Sequence, residues 1–157
     1  MEKPKSSGTS YTKFENGENQ LRIVSDVISG WECWTHKDDG HQVYRQQHGF
    51  KALQLDDMGV DGKEQKQFYA CIVWNYNAEQ FECMVVKQTS IKQAIYNLDQ
   101  DESWGALTGY DIVITRQGEG MNTSYSIMPK PHKEFVKDVP THDLEALFTG
   151  GNPLGDE

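Results

Sequence analysis

Two strand-like runs, residues 68–76 and 81–87, lie close together and lead straight into a helical pattern. This succession constrains the fold more than any single residue. The runs are rich in apolar, β-branched and aromatic residues, and Asn77, Ala78, Glu79 and Gln80 join them, so they read as a hairpin. Phe81, Cys83 and Val85 alternate with Glu82, Met84 and Val86, giving the second strand one cleaner inward face. On the first strand, period two puts Phe68, Trp74 and Tyr76 together and Tyr69 opposite. Thr89 or Ser90 then caps a helix in which Ile91, Ala94, Ile95 and Leu98 fall at i, i+3, i+4 and i+7. Tyr110, Ile112 and Ile114 next alternate with Asp111, Val113 and Thr115. Residues 123–128 return after Gly118-Glu119-Gly120-Met121-Asn122, and Pro129 and Pro131 are expected to stop the second hairpin.

Ahead of these elements, residues 20–34 form a long strand-like run with two mixed rows, broken near the middle by Ser25 and Asp26. Such a strand bends, and Gly30 is the expected bulge or corner. Residues 35–66 are polar and turn-rich, with short strand-like pieces at 42–46 and 51–55. The resulting order, strand, long loop, strand, strand, helix, strand, strand, is that of an all-β domain with one helix, the five-stranded OB-fold barrel. In that architecture the long loop borders a binding face on the second and third strands, which takes oligonucleotides or oligosaccharides.

With 36% apolar and 11% aromatic residues in 157, the chain has enough material for one core. The expected organisation is a disordered N-terminus (1–10), an OB-fold single-stranded DNA-binding domain (11–137) and an acidic C-terminal tail (138–157). No apolar stretch approaches a membrane span or a signal peptide, so a soluble, cytoplasmic protein is expected. Cys33, Cys71 and Cys83 are odd in number and read as reduced, mostly buried thiols. The net charge of −9 opposes phosphate binding at first sight, but five of the excess acids lie in residues 138–157, which hold no Lys or Arg. A tail of this kind is a solubilising extension or an interaction tail. Leu144, Leu147 and Phe148 form a short apolar stripe that can dock on a partner, while Gly150, Gly151, Pro153 and Gly155 oppose regular structure beyond it.

The pieces Gly17-Glu18-Asn19-Gln20-Leu21-Arg22-Ile23, Gly30-Trp31, Val73-Trp74-Asn75-Tyr76, Ser90-Ile91 with Ala94-Ile95, Trp104-Gly105, Gly109-Tyr110-Asp111-Ile112, Arg116-Gln117-Gly118-Glu119-Gly120 and Pro129-Lys130-Pro131-His132 resemble bacteriophage-encoded single-stranded DNA-binding proteins of the OB-fold type. The resemblance covers residues 11–136. It implies a non-enzymatic protein that coats single strands during phage replication, recombination or repair in the host-cell cytoplasm, and whose tail contacts replication or recombination proteins. Bacterial-type tails end in an aromatic residue, whereas this one ends Leu154-Gly155-Asp156-Glu157.

Binding a single strand takes cations that follow the backbone and aromatic faces on which bases stack. The candidates are Trp31, Trp34, Tyr44, Arg45, Phe50, Lys51, Lys66, Trp74, Tyr76, Lys87, Arg116 and Lys130. Tyr44 and Phe50, loop aromatics beside cations, are the best placed for stacking; Lys133 is a further candidate phosphate contact. Cys33, His36, His41 and His48 invite a zinc reading, but their spacing matches no standard finger and a solvated polar loop accounts for them. Asp56, Asp57 and Asp61 could hold Mg²⁺, yet no complementary carboxylate pattern lies on a strand, so neither catalysis nor a cofactor is expected. The rival reading is an OB-fold protein-interaction module without nucleic-acid affinity, which the acidic balance suits.

Overall fold

The computed structural model describes residues 11–35, 42–49 and 65–155. Among these, seven strands form one antiparallel sheet: β1 (Gly17–Ile23), β2 (Ile28–Thr35), β3 (Gln42–Gln46), β4 (Lys66–Asn75), β5 (Gln80–Val86), β6 (Tyr110–Gln117) and β7 (Ser124–His132). The helix α1 (Thr89–Gln100) connects β5 to β6. No helix among the described residues is long and apolar enough to cross a membrane.

β4 is the axis of the sheet. One edge pairs with β5, and the other pairs with β2 over Lys66–Ala70 and with β1 over Val73–Asn75. β1 and β2 therefore lie end to end as one bent strand, interrupted at residues 24–27. The bend has a local cause. The hydroxyl of Ser25 accepts the Ile72 amide at 2.8 Å and Val24 donates to the Ile72 carbonyl, so a side chain keeps β4 hydrogen-bonded where the ladder breaks. The corner expected at Gly30 lies instead at these residues, and Gly30 sits in regular register opposite Phe68.

Other local expectations change in the same way. Neither Thr89 nor Ser90 caps α1: both are already helical, and the N-cap is Gln88, whose side chain makes no capping bond. Pro129 and Pro131 do not end β7, which runs through them to His132. Among the described residues β7 pairs only with β6, and an edge strand tolerates proline because the missing N–H faces away from the ladder. The glycine turn before β7 is a hairpin as read; a Cβ on Gly118, at φ +94°, would lie 2.1 Å from the Asn122 carbonyl oxygen.

A large core joins Leu21 and Ile23 of β1, Cys71 and Val73 of β4, Met84 and Val86 of β5, Ile91 and Ile95 of α1, and Ile112 and Ile114 of β6, with Tyr125 and Ile127 of β7 packed against it. In a flat sheet β5 and β7, four strand spacings apart, would be about 19 Å from each other. Sharing one core requires the sheet to curl. The described strands nevertheless form an open path, in which β5 and β7 are not paired. Residues 11–14 touch both sides of the gap: Tyr11 bridges to Cys83 of β5, and the ring of Phe14 stands edge-on to Tyr125 of β7 at 5.9 Å.

Candidate nucleic-acid interface

The outward face of β4 follows from its two-residue period. Phe68, Ala70 and Ile72 point away from the curled core, and Trp74 continues the row. β5 adds Phe81, Cys83 and Val85, and the β2–β3 arm adds Glu32 and Arg45 in register with Lys66. This face is covered by the chain itself. Residues 133–155, termed here the strap, run across it and bury it in two places.

At one end, Phe135 meets Phe81 edge-on at 6.2 Å, and the Lys137 ammonium lies 4.6 Å above the Trp74 ring, which itself packs on Phe81 at 4.9 Å. Beneath this end Arg22 is almost wholly buried. It pairs with Asp111 at 2.9 Å and donates to the carbonyl oxygens of Thr108 and Lys133, tying the root of the strap to the sheet. Asp111 also accepts from Gln20 and from the Tyr76 hydroxyl. Burial first, and then the Asp111 hydrogen bond and charge, raise the Tyr76 pKa.

At the other end a 3₁₀ turn, Leu144–Thr149, inserts Leu144 and Leu147 against Phe68, Ala70, Ile72 and Cys83, with Phe148 and Leu154 packed beside them. Gly30 makes room for it: a Cβ there would stand 2.7 Å from the Phe148 ring and 2.8 Å from the Phe68 ring. The turn is closed by its own hydrogen bonds. Asp143 accepts from the Glu145 amide and donates from its own amide to the Pro153 carbonyl, and the amide of Gly151 returns to Ala146. Glu145 also accepts from Gln47 at 3.4 Å.

The cations of this face converge on one buried acid. Glu32 takes Arg45 at 2.9 Å and Lys87 at 2.6 Å, while the Arg45 guanidinium lies 5.9 Å from the rings of both Tyr11 and Phe68. One carboxylate against two cations leaves a net positive spot flanked by aromatic faces. Tyr44, 40% exposed, and Arg45 line an open cavity of about 610 Å³ whose far wall is Phe148 and residues 149–152 of the strap.

Of the residues picked from sequence, Arg45 and Lys87 pair with Glu32, Lys66 is exposed on β4 in register with it, and Trp31, half-buried on β2, lies opposite Gln46 and Gln67 across the strands. Trp34 is placed on β2 opposite Val43. Trp74 is on the face but under the strap, and Tyr76 is engaged with Asp111. Arg116 and Lys130 are elsewhere: Arg116 donates to the Phe14 carbonyl, and Lys130 is exposed on β7. Phe50 and Lys51 lie outside the described residues, as do His36, His41, Asp56, Asp57 and Asp61. Cys33 is buried and His48 exposed, and no group of three or more metal-ligating side chains occurs among the described residues. Sequence reasoning left Phe68, Phe81, Lys137 and Phe148 out of the site. The period that set Phe68 beside Trp74 was the available signal for the first two; nothing in the local sequence indicates where Lys137 and Phe148 fold back.

No protein-family model, curated protein or solved structure matches this chain.

Proposed function

We propose that this is a non-enzymatic, largely sequence-independent single-stranded DNA-binding protein of the OB-fold type, acting through the outer face of β2, β4 and β5. Taking β1 and β2 as one bent strand, the order β5-β4-β1/β2-β6-β7 with a helix between β5 and β6 is the OB order, and the curl around one core supports a barrel whose remaining seam is filled by residues 11–14. The observation that carries the functional reading is the composition of the covered face. Phe68, Trp74 and Phe81 offer rings, Arg45, Lys66 and Lys87 offer charge, and the cover is a segment of the acidic tail held largely by side chains. Bases stack on such rings with about 1–3 kcal/mol each, and phosphates take the cations. The strap competes for the same face and is displaced when a single strand binds.

The test is fluorescence anisotropy of labelled oligo-dT against a matched duplex at two salt concentrations, with the full-length chain and its Leu147→Asp variant. The expected result is tight, salt-sensitive binding to the single strand, tighter in the variant because a charge at Leu147 unseats the strap. Loss of affinity on replacing Trp74 and Tyr44 with the fold intact supports stacking. The net charge of −9 favours a second reading, an OB-fold protein-interaction module. Absence of single-strand binding at low salt, in both forms, would put that reading first.

A further inference from the structure

A cavity of about 740 Å³ lies on the side of β4 away from the strap, where the β1–β2 corner meets the end of α1. We propose that it is a docking site for a basic peptide segment of a partner protein, one that places an arginine or lysine beside an apolar side chain. Its apolar walls are Val27, Ile28, Ile95 and Leu107, and the rings of Tyr69 and Tyr96 face it, Tyr96 being 45% exposed. Its charges are all of one sign. Asp26 and Asp99 line it, no Lys or Arg does, and neither carboxylate pairs with a cation among the described residues.

The helix makes that imbalance worse. α1 has no basic residue in its last turn, and Asp99, Asp101 and Glu102 crowd the end where the helix dipole is already negative. Acids at that end oppose the dipole, and an incoming cation relieves both terms together. A metal ion is a poor occupant, since no group of three metal-ligating side chains stands there among the described residues. A nucleic acid is worse, because its phosphates meet the carboxylates. An arginine or lysine side chain fits both halves of the site: its stem covers apolar wall, its head pairs with the acids and lies against tyrosine faces. The cavity falls within the size range of ligand pockets, roughly 300–1,000 Å³. The inference does not depend on the single-strand reading, whose face lies on the other side of β4.

The probe is a displayed library of random twelve-residue peptides, selected on the full-length protein and measured individually against the Asp26→Asn/Asp99→Asn double variant. Both side chains are exposed, so the variant keeps its fold, and its far-ultraviolet circular dichroism and oligo-dT titration serve as controls. The expected outcome is enrichment of sequences that pair arginine or lysine with an apolar residue, bind the double variant at least tenfold more weakly, and lose binding when citrulline replaces arginine. A selection that enriches nothing over a blank surface overturns the proposal. So does enrichment of peptides that lack a cation, or of peptides that bind wild type and double variant alike.

Discussion

The two faces of β4 are equally dry and differently closed. Cys71 and Val73 point into the curled core, Phe68, Ala70 and Ile72 point outward, and all five are at most 1% exposed. The inward pair is sealed by β1, β5, β6 and α1, whose backbones are fixed along their length by ladder and helix hydrogen bonds. The outward three are sealed by a strap that is bonded through its backbone to the sheet at its root, Lys133, and whose backbone bonds beyond it, from Asp143 to Pro153 and from Gly151 to Ala146, close on the strap itself. Burial alone therefore does not tell how permanent a contact is. A cover that carries its own hydrogen bonds can lift without breaking the sheet, whereas exposing Val73 means unfolding the domain.

This difference predicts unequal penalties for similar truncations. Ile112→Ala removes a wholly buried side chain from the inner core and should lower unfolding stability by about 2–5 kcal/mol. Leu147, 2% exposed, is as well buried, yet Leu147→Ala should cost much less in global stability, about 1 kcal/mol. Its penalty is capped by the free energy of docking the strap, because beyond that limit the strap detaches and the sheet stays folded. Urea unfolding of both variants measures the gap. Equal losses would mean that the strap is an integral wall of the domain and would break the comparison.

Gly30→Ala acts at the contact between sheet and strap. The new Cβ would meet the Phe148 ring, the Phe68 ring and the Gln46 carbonyl oxygen, all within 2.9 Å. Overpacking of this kind costs about 1–3 kcal/mol when nothing can move. Phe148 can leave, but the Phe68 ring and the Gln46 carbonyl stay, so the expected result is a loss of global stability of that order together with faster amide hydrogen exchange across residues 143–151. Slowed or unchanged exchange there, with the whole cost appearing in global unfolding, would show that the cover does not yield first.

The same contrast explains what was legible in the sequence. β6 and the apolar stripe of α1 were readable because their period matches the geometry of a single core, whereas on β5 the cleaner row, Phe81, Cys83 and Val85, faces the strap, and the row that holds Glu82 carries Met84 and Val86 into the core. The outer face of β4 was half readable: the pattern grouped Phe68 with Trp74 but gave no sign that both would be covered. Leu144, Leu147 and Phe148 showed a stripe able to dock, yet their target lies about seventy residues away in sequence and no local period encodes it. Gly30 showed the same limit, since a glycine that marks a bulge and a glycine that admits a distant ring look identical along the chain. Pro129 and Pro131 misled because the edge position of β7 is a property of the whole sheet.

The finest probe of the comparison is a pair of cysteines one on each face, opposite Met84 and Ile72 across the β4–β5 ladder. Cys71 lies in the inner core and Cys83 under the strap, and both are buried. Burial disfavours the thiolate in each, pushing Cys71 far above the usual thiol range and Cys83 up to about 12. The native thiols should therefore be inert at pH 8, and labelling by a thiol-specific reagent must pass through an opened state. Cys83 needs only the strap to lift, whereas Cys71 needs the domain to unfold. Mass spectrometry of the labelled peptides should find Cys83 modified at least tenfold faster than Cys71, with Leu147→Ala accelerating Cys83 alone. Raising the pH from about 9 toward 12 should lower stability, because the unfolded chain ionises these thiols while the folded chain holds their protons. Equal labelling rates for the two would mean that both faces of β4 open in one step, so that the strap unfolds only with the sheet.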